Sequence, residues 1–475
     1  MAGYALYYFV RKNFSLAMPG LNAEFGLSKV QLGLFLTLNG VIYGLSRFIN
    51  GFVTDRHSAR KVMAIGLLVC ALINMLFGYS DSVANWIIAK GAGYGYAFTF
   101  STVLVFIMGI MWLINGYFQG MGVPPCHKLL AHWIHPAELA TKMSVWNMSH
   151  SIGAGLVVML CGYIMSHFGS DLSDNAEVVS QIAGNLNADL NDPAASARVM
   201  TFASHFYAWR WCFIVPAFIS LSGAAGLWLS LRDNPSAVGL PEIIGEKKIE
   251  KKRSEEEKAA YKKLLREKVF GNRLIWTLAL TNFFIYIVRF AALDWGPTLL
   301  SESKGISLVV AGVMVAVFEL AGGNIGMLVA GWATDHIFGS RAHRTCVFCL
   351  GGTILAIAAF WIIPAETPKW VFFIPFTLIG FFLYGPQALL GIAAANQATN
   401  KAAASANGIL GIFGYASTII SGVGFGYIAQ HYGWDLAYVA MIGVAVLGII
   451  TLLTMWNAKA DGYDQPRHES DHSIA

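Results

Sequence analysis

Apolar runs of about twenty residues recur along almost the whole chain, and they limit its architecture more than any other feature. They fall near 2–22, 32–53, 62–80, 100–124, 143–167 and 210–231, and again near 274–300, 308–333, 345–363, 370–394, 404–429 and 434–456. Each can cross a hydrocarbon core of roughly 30 Å as a helix. In lipid every backbone amide needs an internal partner, so only helices and closed barrels span it. Barrel strands alternate over about ten residues instead of running apolar for twenty. The expectation is an all-α membrane protein with twelve transmembrane helices arranged as six, a linker and six. Only 12% of the 475 residues are charged, about half the share in ordinary globular chains.

Charge sets the expected topology. The linker, about 232–273, carries twelve Lys/Arg against eight Asp/Glu, which places it in the cytoplasm. Within it, EEEKAAYKKLLREKV reads as an amphipathic surface helix. The loop TDRHSARK at 54–61 is also basic, whereas 169–208 holds five acids and only Arg198 as Lys/Arg. Both termini are therefore expected in the cytoplasm. The net charge of +5 is read as topology, with no nucleic-acid partner. Two stretches exceed a minimal twelve-helix plan: 82–99, too short and Gly-broken to span, and 169–208. Both are expected as segments outside the membrane. The predicted units are 1–231 as a six-helix bundle, 232–273 as the linker, 274–456 as a second bundle and 457–475 as a cytoplasmic tail. The six scattered cysteines, including the Cys346-x-x-Cys349 pair, read as packing residues. No cleavable signal peptide is visible, and the first helix itself would direct insertion.

The two halves repeat. GFVTDRHSARK from Gly51 matches GWATDHIFGSRAHR from Gly331, at an offset of 280. Arg11 and Arg289 are 278 positions apart, each inside an apolar-aromatic run. A duplicated six-helix unit puts a substrate site on its pseudo-twofold axis near the membrane midplane. A charge at that depth costs at least about 2.5–3.5 kcal/mol and is kept only where it meets a cavity or a partner. Guanidinium suits bidentate binding of phosphate. A salt bridge with Asp294 or Glu319 is the competing reading, and the symmetry of the pair favours an anion site. Tyr4, Tyr7 and Tyr8 share a helical face with Arg11, and Asn282 and Tyr286 share one with Arg289. His150, one turn after Trp146 and Asn147, can change protonation near neutral pH, as can a phosphate ester; packing is the alternative. Arg47, four residues after Tyr43, either lines the cavity or snorkels. Lys12 points about 100° away from Arg11 and supports a network. Gln119, Glu319, Asp294, Tyr384, Gln387 and Tyr415 are further polar residues inside apolar runs. No nucleophile set, metal-ligand spacing or nucleotide fingerprint is present, so neither an enzyme nor a cofactor or metal is expected.

These residues resemble the organophosphate:phosphate antiporters of the major facilitator superfamily, which include the glycerol-3-phosphate transporter, the hexose phosphate transporters and a hexose phosphate sensor. The resemblance rests on GYALYYFVRKNF, YGLSRFINGFVTDR, GYFQGMGVPPC, VWNMSHSIGAG, YIVRFAALDWGPTLL, VFELAGG, GWATDHIFG and YGPQALLGIAAANQATNKAA. It implies the major facilitator fold and a monomer in the cell inner membrane. It also implies exchange of a sugar phosphate, foremost glucose 6-phosphate, for inorganic phosphate. Glycerol 3-phosphate is the alternative cargo, and a sensor signalling to a partner kinase is the alternative role. The family's phosphate-binding arginines fall on Arg11 and Arg289, its central histidine on His150, and its second-helix lysine on Arg47. Its pocket residues fall on Tyr4, Tyr8, Gln119, Tyr286, Tyr384 and Tyr415, with Asn147 beside His150. Its acidic partners fall on Asp294 and Glu319, which with Lys12 would exchange ion pairs during transport. The family also carries a basic stretch and about ten more apolar residues before GYALYY, so the native start is expected upstream of Met1.

Overall fold

The protein is represented by a computed structural model that describes residues 1–94, 97–134, 136–241, 259, 262–398 and 402–459. Residues 255–258, 260 and 261 of the expected surface helix at 255–269, and the tail beyond 459, lie outside the described residues; 262–265 are helical and Arg266–Phe270 form a π turn. The regular secondary structure of the described residues is all helical, apart from one isolated bridge between Ser170 and Phe206.

Among the described residues, eleven helices are long and apolar enough to cross a membrane. The twelfth crossing is a broken helix: α1 (Ala2–Phe9) and α2 (Phe14–Phe25). The first half continues with α3 (Lys29–Arg56), α4 (Ala59–Phe77), α5 (Ser80–Gly93), α6 (Phe100–Gln119), α7 (Val123–Trp133), α8 (Pro136–His167), α9 (Ala176–Leu186), α10 (Pro193–Ser204) and α11 (Ala208–Ser230). The second half contains α12 (Arg273–Asp294), α13 (Gly296–Lys304), α14 (Leu308–Val317), α15 (Asn324–His336), α16 (Ala342–Ile362), α17 (Phe373–Ala398), α18 (Ala403–Ala416), α19 (Phe425–His431) and α20 (Gly433–Leu453). Wider π turns at Phe318–Gly323 and Ile420–Gly424 join α14 to α15 and α18 to α19. α5, in the first insertion, has fourteen residues, about 21 Å at 1.5 Å per residue and short of a crossing. All six cysteines are free, and all but the half-buried Cys349 are buried.

The halves repeat in structure as well as in sequence. α3 packs on α6 as α15 packs on α17, and α4 packs on α11 as α16 packs on α20. α3 and α14 open on serine caps, with Ser28 accepting from the Gln31 amide and Ser307 from the Val310 amide. α3 and α15 close on the G-x-x-T-D motif, where Thr54 donates to the Asn50 carbonyl and Thr334 to the Ala330 carbonyl. Side chains of the same type bond the backbone four residues back at both ends of the repeat.

A continuous first helix was expected over 2–22, and the structure breaks it at Val10–Asn13. A break in lipid needs new partners for its freed carbonyls, and side-chain amides supply them. Asn74, Asn115 and Gln119 donate to the Val10 carbonyl at 3.1, 3.0 and 3.3 Å. Gln119 also donates to the Tyr7 carbonyl at 3.0 Å. Asn13 donates to Asn74 and to the Cys212 carbonyl, both at 2.9 Å.

The halves meet along a seam at one end of the molecule, the end bearing α9 and α10. There α3 lies on the Ile420–Gly424 turn and α19, and α8 lies on α14. Glycines permit the approach. A Cβ on Gly162 would come within 2.8 Å of the Leu308 carbonyl, and one on Gly312 within 2.7 Å of the Val158 carbonyl. Towards the opposite end, where Met1 and Lys459 lie, Arg47 and Asn147 are exposed. The molecule is closed at the hairpin end and open at the end of the chain termini.

Candidate substrate site

The break in the first helix places Arg11 between the halves. Its guanidinium carbon sits 4.0 Å from the Tyr43 ring centroid and 5.6 Å from that of Tyr8. Among the described residues it has no ion pair. A cation over a desolvated tyrosine face is stabilised by about 2 kcal/mol, less than a carboxylate would supply, so the charge stays largely unneutralised.

Arg289 comes from α12. It donates to the Tyr384 hydroxyl at 3.1 Å and lies 4.8 Å from that ring's centroid. The nearest oxygen of Glu319, in the Phe318–Gly323 turn, is 4.0 Å away. This is a loose pair, and both the Nε of Arg289 and the Oε2 of Glu319 lack a partner. The two arginines belong to one aromatic chain across the halves. Tyr43 meets Tyr415 at 5.0 Å, Tyr415 meets Tyr286 at 6.4 Å, and Tyr286 lies 5.6 Å from Arg289.

The remaining expected residues divide by position. Tyr4 stacks on Trp146 at 4.9 Å and meets Tyr8 edge-on at 5.6 Å. His150 is buried 5.9 Å from the Tyr8 ring. Its Nδ1 donates to the Asn147 carbonyl, and its Nε2 is 3.2 Å from the Ser151 hydroxyl. Arg47 and Asn147 are exposed at the open end of the molecule. Gln119 is buried, with its amide nitrogen engaged by the broken helix, so it stands behind Arg11 and supports it. Lys12 pairs across the halves with Asp294, not with Glu319. Lys12 and Glu319 do line one small cavity, together with Ala154, Val158 and Val315.

Sequence reasoning did not single out Tyr43 as a partner of Arg11, nor Asn13, Asn74 and Asn115 as the supports of the break. The only available signal was three asparagines inside apolar helices, which had no partner to give them meaning. Chemically, two guanidinium groups from opposite halves, walled by tyrosines, can clasp a small divalent anion and leave hydroxyls to read its organic part.

Twelve crossings in two repeated halves, closed at one end around a polar centre, define a secondary membrane transporter. The chain belongs to the Major Facilitator Superfamily, whose model matches residues 1–422 and 297–473. It is 33% identical over 469 residues to a probable hexose phosphate transport protein of Chlamydia pneumoniae, covering 96% of this chain and 89% of that one. It is also 33% identical to the glycerol-3-phosphate transporter of Bacillus subtilis, covering 96% and 90%. Against the membrane sensor protein UhpC of Escherichia coli the identity is 32%, again covering 96% and 90%. Among solved structures, a bacterial homolog of the human lysosomal transporter Spinster, inward-facing and occupied, superposes with a TM-score of 0.65 at 14% identity, covering 96% and 93%. That likeness bears on the fold alone.

Proposed function

We propose that this chain exchanges a sugar phosphate, foremost glucose 6-phosphate, for inorganic phosphate by alternating access. The observation that carries this reading is the aromatic chain joining Arg11 to Arg289, with one permanent cation from each half. The names of the relatives support the substrate class, since two of the three carry phosphorylated substrates in their names. Arg11 and Arg289 bind the phosphoryl group, with His150 and Arg47 adding to its capture. Tyr4, Tyr8, Asn147, Tyr286, Tyr384 and Tyr415 read the sugar, and Gln119 acts from behind. The arriving anion takes Arg289 from Glu319, and Lys12 and Asp294 exchange partners as the halves move. An empty site holds two cations that need neutralising before they can cross, so the unloaded carrier reorients poorly and exchange prevails.

The basic linker supports a cytoplasmic location for both chain termini, in the cell inner membrane, with 1–231 and 274–456 as the moving units of a monomer. The test is competition of labelled phosphate exchange in proteoliposomes. Glucose 6-phosphate should inhibit at lower concentration than glycerol 3-phosphate; the reverse order would reassign the cargo. A second reading has support from the likeness to the UhpC sensor. In that role the chain would bind hexose phosphate and signal to a partner kinase. Binding without flux would favour it.

A further inference from the structure

The second insertion, 169–208, has no part in the substrate site, yet it is firmly built. Its ends are tied by the Ser170–Phe206 bridge, with N–O distances of 2.8 and 3.0 Å. Its return rests on the buried Glu24 at the end of α2. That carboxylate accepts from the Tyr207 amide at 2.6 Å and from the Trp209 indole at 2.8 Å. Tyr207 has φ +66°, a left-handed backbone that a bulky residue adopts only where its surroundings enforce it. α9 adds two ties, from Gln181 to the Glu24 carbonyl and from Asn185 to the Ala23 carbonyl. The α9–α10 hairpin is thus fixed to the first half.

Its other side reaches the second half. Arg198 of α10 donates to Oε1 of Glu302 on α13 at 3.1 Å. The other oxygen, Oε2, receives Lys29 of α3 at 2.8 Å and the Trp434 indole at 3.0 Å. Two cations of one half therefore grip one carboxylate of the other, at the end where the halves are sealed. Trp434, from Glu302's own half, fixes the carboxylate so that it cannot follow the hairpin away. A transporter that opens this end must break both ion pairs.

We propose that the α9–α10 hairpin is a strap that holds this end shut, gripping Glu302 through Arg198 while Lys29 secures the second oxygen. The inference rests on alternating access, not on which anion is carried. Its function is to bias the resting carrier towards the state open at the termini, so that substrate arriving at the hairpin end meets a closed face until the grip is released.

The test uses the full chain in proteoliposomes with Val158→Cys as reporter, since Val158 is buried at the seam opposite Gly312. A membrane-impermeant maleimide is added from the hairpin side. Arg198→Gln and Glu302→Gln should each raise the labelling rate threefold or more. Glu302→Asp, which keeps the carboxylate for Arg198, Lys29 and Trp434 but shortens its reach, should label between the parent and Glu302→Gln. Arg198→Lys, which keeps the charge, should label close to the parent and guards against a merely misfolded hairpin. Unchanged labelling in both single variants overturns the strap, and so does Arg198→Lys labelling as fast as Arg198→Gln. Labelling reads conformation alone, so failure of phosphate exchange would count against the substrate and leave this result standing.

Discussion

At the scale of single residues, the two arginines were legible because a guanidinium inside an apolar run is too costly to be incidental. Tyr43 was not, because a tyrosine in a membrane helix has many ordinary uses, and only the fold brings its ring 4.0 Å from Arg11. That contact makes separate predictions for charge and for shape. Arg11→Lys keeps the charge and loses the fork. A charge-assisted hydrogen bond is worth about 1.5–3 kcal/mol, so the half-saturating phosphate concentration should rise about tenfold or more in exchange assays. Near-parent exchange would remove Arg11 from the site. Tyr43→Leu removes the face that holds Arg11, worth about 0.5–2 kcal/mol. It should weaken phosphate binding by a smaller factor, with the phosphate and sugar phosphate constants moving together; an unchanged constant would show that Tyr43 only packs.

At the scale of elements, the helices were readable from length and hydropathy, and most ends fell within a few residues of expectation. The break at Val10–Asn13 was not, because the apolar pattern runs straight through it. The supporting amides lie 61 to 112 positions away, on α4 and α6. Asn74→Leu withdraws a donor from the Val10 carbonyl and one of the two acceptors of Asn13. An unsatisfied buried polar group costs about 1–3 kcal/mol, so thermal unfolding in detergent should show a clear drop in midpoint. No change would mean that the break does not depend on this network. The seam makes a prediction of another kind. Gly312→Val would press a side chain onto the Val158 carbonyl and should favour the state in which the hairpin end is open. Faster maleimide labelling from that side would confirm it, and a slower rate would contradict it. The Glu302 carboxyl adds a pH test. Burial raises its pKa, but Lys29 and Arg198 outweigh burial and hold it below the ordinary value. A depressed carboxyl contributes stability above its unfolded value, near 4.3, and loses it as the pH falls through the folded value. Labelling at Val158→Cys, taken relative to an always-exposed cysteine at the same pH to cancel the falling thiolate fraction, should therefore match at pH 7 and pH 5 and rise only as the pH falls below the unfolded value.

At the scale of the whole molecule, the class was plain from twelve apolar runs and one repeat offset, since duplicated six-helix units leave few other architectures. Which end stands closed was not legible. It depends on glycine-to-carbonyl contacts between helices nearly 400 positions apart, as at Gly33 and Gly422, and no pattern along the chain encodes a conformational preference. The same holds for 169–208, whose polar sequence reads as an insertion until Arg198 is seen on Glu302. What unites the scales is a carrier whose central cations need an anion before the halves exchange positions. Counterflow in proteoliposomes tests that most directly, with labelled phosphate outside and either glucose 6-phosphate or no anion inside. The account predicts rapid uptake with glucose 6-phosphate inside, little uptake into empty vesicles, and loss of both in Arg289→Ala. Equal uptake by loaded and empty vesicles would contradict it.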